Sequence, residues 1–172
     1  MPLEPLPTAE LSDAAGSPIA MDARIRPVWR GARLAGPAFT VRTLPCEFRA
    51  VREAADQAPA GSVLVVDGGG ELGCALWGDK MAALALERGL AGLVVDGPVR
   101  DVDGIEALGF PVFAAGIVPT GPWRERAGEQ DIPIVCGGLE VRPGDYVYGD
   151  MDGVVVVARE RHDEIVARVR TS

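Results

Sequence analysis

The sequence predicts an α/β fold in which a parallel βαβ unit packs on a β-rich second half. Two apolar runs end almost identically, at Val65-Val66-Asp67-Gly68 and, 29 residues later, at Val94-Val95-Asp96-Gly97. Between them, residues 79–88 have helical periodicity and are closed by Gly89. That is the spacing of two parallel strands joined by a crossover helix, with both carboxyl ends at one sheet edge. From residue 132 onward, short apolar runs alternate with turn residues, the pattern of a meander or small barrel-like layer.

Residues 1–10 carry Pro2, Pro5 and Pro7 and read as an arm. A short helix is expected at residues 12–15, with Ser12 as its cap. Residues 24–33 are basic, include Trp29 and are broken by Pro and Gly. Residues 39–43 alternate as a strand does. Residues 47–57 form an amphipathic helix, with Phe48, Val51, Ala54 and Ala55 on one face. Pro59-Ala60-Gly61 then turns the chain into the first Val-rich strand, residues 63–66, and the second follows at residues 93–95. A helix is expected over residues 102–108, ending at Gly109, and a strand over residues 111–115. Pro119 to Pro122 is a turn, and residues 123–130 are a charged, exposed connection. Strands are expected at residues 134–136, 139–141, 146–148 and 153–158, then a terminal helix at residues 161–169.

At 172 residues the chain reads as a single domain. Its net charge of −8, from 17 basic and 25 acidic residues, argues against nucleic acid or an anionic membrane as main partner. No apolar run is long enough for a membrane span, and no basic start precedes an apolar stretch. Cys46, Cys74 and Cys136 are widely spaced and odd in number, which reads as reduced thiols in a cytoplasmic protein. The only histidine, His162, lies in a charged C-terminal segment, so a histidine-based zinc site or a Ser-His-Asp triad has almost nothing to work with. Lys80 is the only lysine and hence the one Schiff-base candidate.

Ligands of open α/β sheets bind beyond the carboxyl ends of the strands, which directs attention to two loops. In Trp77-Gly78-Asp79-Lys80-Met81, Gly78 and Asp79 stand just ahead of the apolar positions Met81, Leu84 and Ala85. A helix starting there leaves the Lys80 and Met81 amides free for a carboxylate or phosphate; in the plainer reading, Asp79 caps its own helix. In the second loop, the Arg100 guanidinium can fork onto an oxygen anion while Asp101 holds a hard divalent cation. Here too there is a plainer reading: Asp101 caps the next helix and Arg100 pairs with Asp96 or Asp103. Gly68-Gly69-Gly70 resembles a nucleotide-binding turn, with Asp96 as its ribose acid, but the helix starts too far from the glycines.

Several motifs in order carry a family resemblance. They are Trp77-Gly78-Asp79-Lys80-Met81, then Ala91 through Val94-Val95-Asp96-Gly97-Pro98-Val99-Arg100-Asp101, Gly109-Phe110-Pro111-Val112-Phe113, Pro119-Thr120-Gly121-Pro122, Cys136-Gly137-Gly138, Arg142-Pro143-Gly144-Asp145 and Gly149-Asp150-Met151-Asp152-Gly153. Together they resemble the RraA-like family, which contains regulators of ribonuclease activity A and 4-hydroxy-4-methyl-2-oxoglutarate aldolases. The resemblance implies a swivelling β/β/α fold and a homotrimer, with a hexamer as the alternative. It also implies a lyase that uses Mg²⁺ or Mn²⁺ to cleave 4-hydroxy-2-oxo acids to pyruvate, to decarboxylate oxaloacetate, or both. Carried over, Asp101 ligates the metal, Asp79 holds a metal-bound water and Arg100 contacts the pyruvyl oxygens. The substrate carboxylate falls to the amides after Gly78, those of Lys80 and Met81. Lys80 departs from the family, which usually has an apolar residue there. The alternative function is a non-catalytic protein that binds and inhibits an endoribonuclease.

Overall fold

In the computed structural model, which describes residues 2–171, one mixed sheet organises the chain. In chain order the elements are α1 (Thr8–Ala15), β1 (Arg26–Pro27), β2 (Leu34–Arg42), α2 (Arg49–Gln57), β3 (Val63–Asp67), α3 (Asp79–Glu87), β4 (Gly92–Val99) and α4 (Val102–Leu108). The second half comprises β5 (Val112–Ile117), β6 (Glu129–Gln130), β7 (Ile134–Cys136), β8 (Leu139–Val141), β9 (Tyr146–Asp150), β10 (Gly153–Val157) and α5 (His162–Thr171). The sheet runs β1-β5-β4-β3-β2-β9-β10, β6 pairs with β2, and β7-β8 form a separate hairpin.

The expected βαβ unit is present. β3 and β4 are parallel, and Asp67 stands in register with Asp96. Their Val-rich runs follow from burial on both faces. Leu64, Val66, Leu93 and Val95 pack against α2, α3 and α4, whereas Val63, Val65 and Val94 pack against Ile134, Cys136, Val147 and Phe113. Successive side chains of a strand point to opposite faces, so the result is a helix layer, a sheet and a second β layer, the β/β/α arrangement. β2 joins the two halves: Ala38 to Arg42 pair parallel with β3, while Leu34 to Pro37 pair antiparallel with β9.

Four local expectations are corrected. Residues 8–10 belong to α1 rather than to an arm, and Ser12 lies inside that helix. Its start is anchored from a distance, because the Thr8 N–H and hydroxyl both donate to the Asp150 carboxylate, at 2.9 and 2.7 Å. Burial works against the Asp150 charge, but the Thr8 bonds outweigh it and hold this carboxyl below its ordinary range. β4 does not stop at Asp96-Gly97; it continues through a bulge to Val99, still paired with β5. Residues 129–130 of the expected exposed connection pair with the end of β2 as β6.

The cysteines are the fourth correction. Cys46 and Cys74 form a disulfide, with Cα atoms 5.4 Å apart, and only the buried Cys136 is free. Closing a loop with a sequence separation of 28 residues is worth about 3 kcal/mol through the unfolded chain. The thiol argument for a cytoplasmic location therefore loses its basis. No helix among the described residues is long and apolar enough to cross a membrane. His162 is structural: its Nε2 lies 2.8 Å from the Tyr148 hydroxyl and its ring stacks on Tyr146.

Candidate active site

The extension of β4 builds the site. Because the strand runs on to Val99, its Pro98 carbonyl accepts the Leu76 N–H at 2.9 Å, and the Arg100 N–H donates to the Trp77 carbonyl at 3.0 Å. The Ala75 N–H reaches across to the Thr120 carbonyl at 2.8 Å. Three segments distant in sequence are thus laced together by backbone bonds, and the disulfide ties a fourth, leading into Phe48, to the segment leading into Ala75.

They enclose a cavity of about 330 Å³ lined by Phe48, Ala75, Leu76, Trp77, Gly78, Asp79, Lys80, Met81, Arg100, Asp101 and Pro122. Every residue assigned a site role from the sequence, Gly78, Asp79, Lys80, Met81, Arg100 and Asp101, lies in this wall. The lining combines apolar Phe48, Leu76, Trp77 and Pro122 with two carboxylates and two cations. Gly68-Gly69-Gly70 does not line it. Asp96 is committed elsewhere: it accepts both guanidinium nitrogens of Arg24 and the Gly137 N–H. A nucleotide-type reading of that glycine loop has no acid left to use.

Neither acid's side chain caps a helix. Gly78 is the N-cap of α3, with Asp79 the first helical residue, and no side chain bonds that end. Asp101 is the N-cap of α4 in left-handed backbone, φ 58, and again makes no side-chain cap bond. A non-glycine residue in that region costs on the order of 1 kcal/mol or more, and such strain collects at functional sites. The first bond of α3 runs from the Ala82 N–H to the Gly78 carbonyl. The Lys80 and Met81 amides find no acceptor among the described residues, as a helix start dictates.

Arg100 is loosely held. Its Nε lies 3.6 Å from Asp101 Oδ2 and one Nη donates to the Pro119 carbonyl at 3.5 Å, with 42% of the side chain exposed. Most of its donors remain available for an oxyanion.

Three glycines seat these side chains. A Cβ on Gly78 would lie 2.6 Å from Asp101 Oδ2; one on Gly104 would lie 2.9 Å from Asp79 Cβ; one on Gly121 would lie 2.6 Å from an Arg100 Nη. The sequence reading missed Gly104, and placed Phe48 only on a helix face and Gly121 and Pro122 only in a turn motif. Gly104 alone left a signal. A glycine inside a seven-residue helix costs about 1 kcal/mol against alanine, so something must need the space.

Among the described residues no three His, Cys, Asp or Glu side chains gather as a metal cluster. Two uncapped carboxylates with oxygen-only donors do suit a hard cation such as Mg²⁺ or Mn²⁺, which commonly takes one or two carboxylates and completes its shell with water and substrate. The residues present fit.

The family model described as RraA-like, Aldolase/RraA, matches residues 8–156. A protein of Halalkalibacterium halodurans named "Putative 4-hydroxy-4-methyl-2-oxoglutarate aldolase" is 34% identical over 165 residues, covering 96% of this chain and 79% of that protein. Among solved structures, the RNA-processing inhibitor RraA from Thermus thermophilis superposes with a TM-score of 0.81 at 35% identity, covering 90% and 93% of the two chains. A Geobacillus kaustophilus structure titled as an S-adenosylmethionine: 2-dimethylmenaquinone methyltransferase gives a TM-score of 0.83 at 37% identity, covering 90% of this chain and 96% of that one.

Proposed function

The chain belongs to the RraA-like (Aldolase/RraA) family, and from that premise we propose that it is a divalent-metal-dependent lyase. It cleaves 4-hydroxy-2-oxo acids of the 4-hydroxy-4-methyl-2-oxoglutarate type to pyruvate and decarboxylates oxaloacetate. One observation carries the reading. Asp79, Arg100 and Asp101 meet in one cavity wall, uncapped or loosely held, each against a glycine that leaves it room. The methyltransferase title of one structural neighbour finds no counterpart, because the glycine loop lies outside the cavity and Asp96 is used by Arg24 and Gly137.

Asp101 would hold the cation and Asp79 a water bound to it; the cation when bound supplies Lewis-acid polarisation of the 2-oxo group. The free Lys80 and Met81 amides take the C1 carboxylate at the positive end of α3. Arg100 meets the negative charge that builds on the C2 oxygen as the C3–C4 bond breaks, whether the carbon lost is a carbonyl compound or CO₂. In the aldol case, Asp79 accepts the C4 hydroxyl proton through a water molecule. Lys80 is exposed, so the desolvation that would activate a Schiff-base lysine is missing.

Oxaloacetate and 4-hydroxy-4-methyl-2-oxoglutarate should each release pyruvate with Mg²⁺ or Mn²⁺ present, and EDTA should abolish the enzyme-dependent rate until metal is restored. Turnover that survives chelation refutes metal dependence; absence of turnover with either substrate refutes the lyase. The second reading is a regulator that binds an endoribonuclease, and the likeness to the RraA structure favours it. A chain inert in that assay that still inhibits a purified endoribonuclease would establish it.

The assembly belongs to the same proposal. Leu72, Ile117 and Trp123 are large apolar side chains exposed by about half or more. A closed three-fold ring would cover such surface. Light scattering at micromolar concentration should give a mass near three chains, and a fully active monomer would refute the ring.

A further inference from the structure

The disulfide joins two segments of the cavity lining. Cys46 stands two residues before Phe48 and Cys74 directly before Ala75, and both of those residues line the cavity. The same two segments grip a third. The Arg124 N–H donates to the Cys46 carbonyl at 3.1 Å, and the Ala75 N–H donates to the Thr120 carbonyl at 2.8 Å. Residues 121–123 span the interval. Gly121 lies so close to Arg100 that a Cβ on it would come within 2.6 Å of an Nη, and Pro122 lines the cavity. The disulfide thus closes a circuit of three segments, one of which bears on Arg100.

The Cys46 segment is otherwise weakly packed. Leu44 is 56% exposed, and Pro45, Cys46 and Phe48 are only half-buried. Glu47 is buried, yet its carboxylate accepts no hydrogen bond among the described residues and faces Arg126 Nε at 3.7 Å. The remaining ties are local, as from the Thr43 hydroxyl to the Glu47 carbonyl. Cys46 itself sits at φ 63, left-handed backbone that a β-carbon disfavours. If the bridge opens, relaxation of that residue moves the carbonyl that holds Arg124. Access favours opening from one side, because Cys46 is half-buried whereas Cys74 is 2% exposed, and exchange begins at a sulfur that a thiolate can reach.

We infer that the Cys46–Cys74 disulfide is a redox-sensitive catch on this cavity. A dithiol opens it, the 120–124 segment slackens, Arg100 loses its seat and turnover falls. A thiolate of the dithiol attacks Cys46 Sγ, the S–S bond breaks, and Cys74 leaves as a thiolate that takes up a proton. The second thiol of the reductant then displaces Cys46 from the mixed disulfide. The protein gains two electrons and two protons, and the reductant becomes a cyclic disulfide. A small disulfide such as oxidised glutathione closes the bridge again and is itself reduced to two thiols. The effect on turnover rests on the lyase reading above; the opening of the segment does not.

The test compares the oxidised protein with the same protein under excess dithiothreitol, at saturating Mg²⁺, a hard cation that thiols leave alone. Pyruvate release should fall about tenfold or more, since misplacing a reacting group by roughly 1 Å costs up to about a hundredfold. It should return when oxidised glutathione replaces the reductant. A double variant, Cys46→Ser with Cys74→Ser, should run at the reduced rate and ignore dithiothreitol. Hydrogen exchange read by mass spectrometry needs no turnover. Reduction should speed exchange in residues 44–48 and 120–124 while β3 and β4 stay protected. Equal rates in both redox states would overturn the control of turnover and leave the lyase standing. Unchanged exchange would overturn the catch itself. Loss of protection throughout the chain would make the bridge a plain structural cross-link and overturn the inference as well. A wild-type protein inert in both states would overturn the lyase, and the exchange data would still decide whether the bridge holds the 120–124 segment.

Discussion

Asp101→Ala is expected to cut metal-dependent pyruvate release at least about a hundredfold, the scale of losing a key electrophilic contact, in a protein that stays folded. The Asp101 side chain bonds no amide of α4, so the helix does not depend on it. The carboxylate lies in the cavity wall, 43% exposed, with only the long approach of Arg100 for company. Alanine in left-handed backbone adds strain of about 1 kcal/mol, which by itself lowers stability slightly. Asp101→Asn removes that ambiguity, because Asn tolerates the conformation and keeps the shape while dropping the charge. Coupled pyruvate detection at saturating Mg²⁺ or Mn²⁺, with a thermal melt alongside, reads both variants. A wild-type rate in Asp101→Asn would remove Asp101 from the site.

Gly78→Ala should lose activity by up to about a hundredfold, since displacing a reacting group by roughly 1 Å has that cost, yet leave stability nearly unchanged. At φ −152 and ψ −172 the backbone is extended and accepts any residue. The new methyl would meet Asp101 Oδ2 at 2.6 Å, the far end of a side chain that is free to swing. The fold adapts by moving the very group the chemistry needs. If kcat/KM is unaltered, Asp101 has no fixed role. If activity and melting temperature fall together by several degrees, the defect lies in packing rather than in the site.

Much of the molecule was legible in the residues. The Val-rich runs, the amphipathic segment of α2 and the glycine stops after α3 and α4 are local signals, and each appears near its expected place. Every proposed site residue lines one cavity. Legibility ended where a residue's partner lies far away in sequence. Asp96-Gly97-Pro98 reads as a turn, but β5 pairs alongside and a bulge absorbs the irregularity, so the strand goes on. Thr8 starts a helix because Asp150 is there to accept its N–H, 142 residues away. Cys46 and Cys74 read as separate thiols until β2 and β3 bring their loops together.

The sequence was sufficient for what depends on short-range periodicity and chemistry: the βαβ unit, the β-rich second half, the free amides opening α3 and the Arg100-Asp101 pair at a strand end. Tertiary structure alone decided which acids remain available. Asp96 and Asp101 both sit beside glycine or arginine near a strand end, yet Asp96 is locked by Arg24 and Gly137 whereas Asp101 is left without a close partner. Tertiary structure also decided why the site has room, since Gly78, Gly104 and Gly121 matter only through side chains packed against them from other segments. The physical reason is the same in each case. Backbone preference acts over a few residues, but a carboxylate is spent or kept free by whichever donors the sheet brings within hydrogen-bond reach.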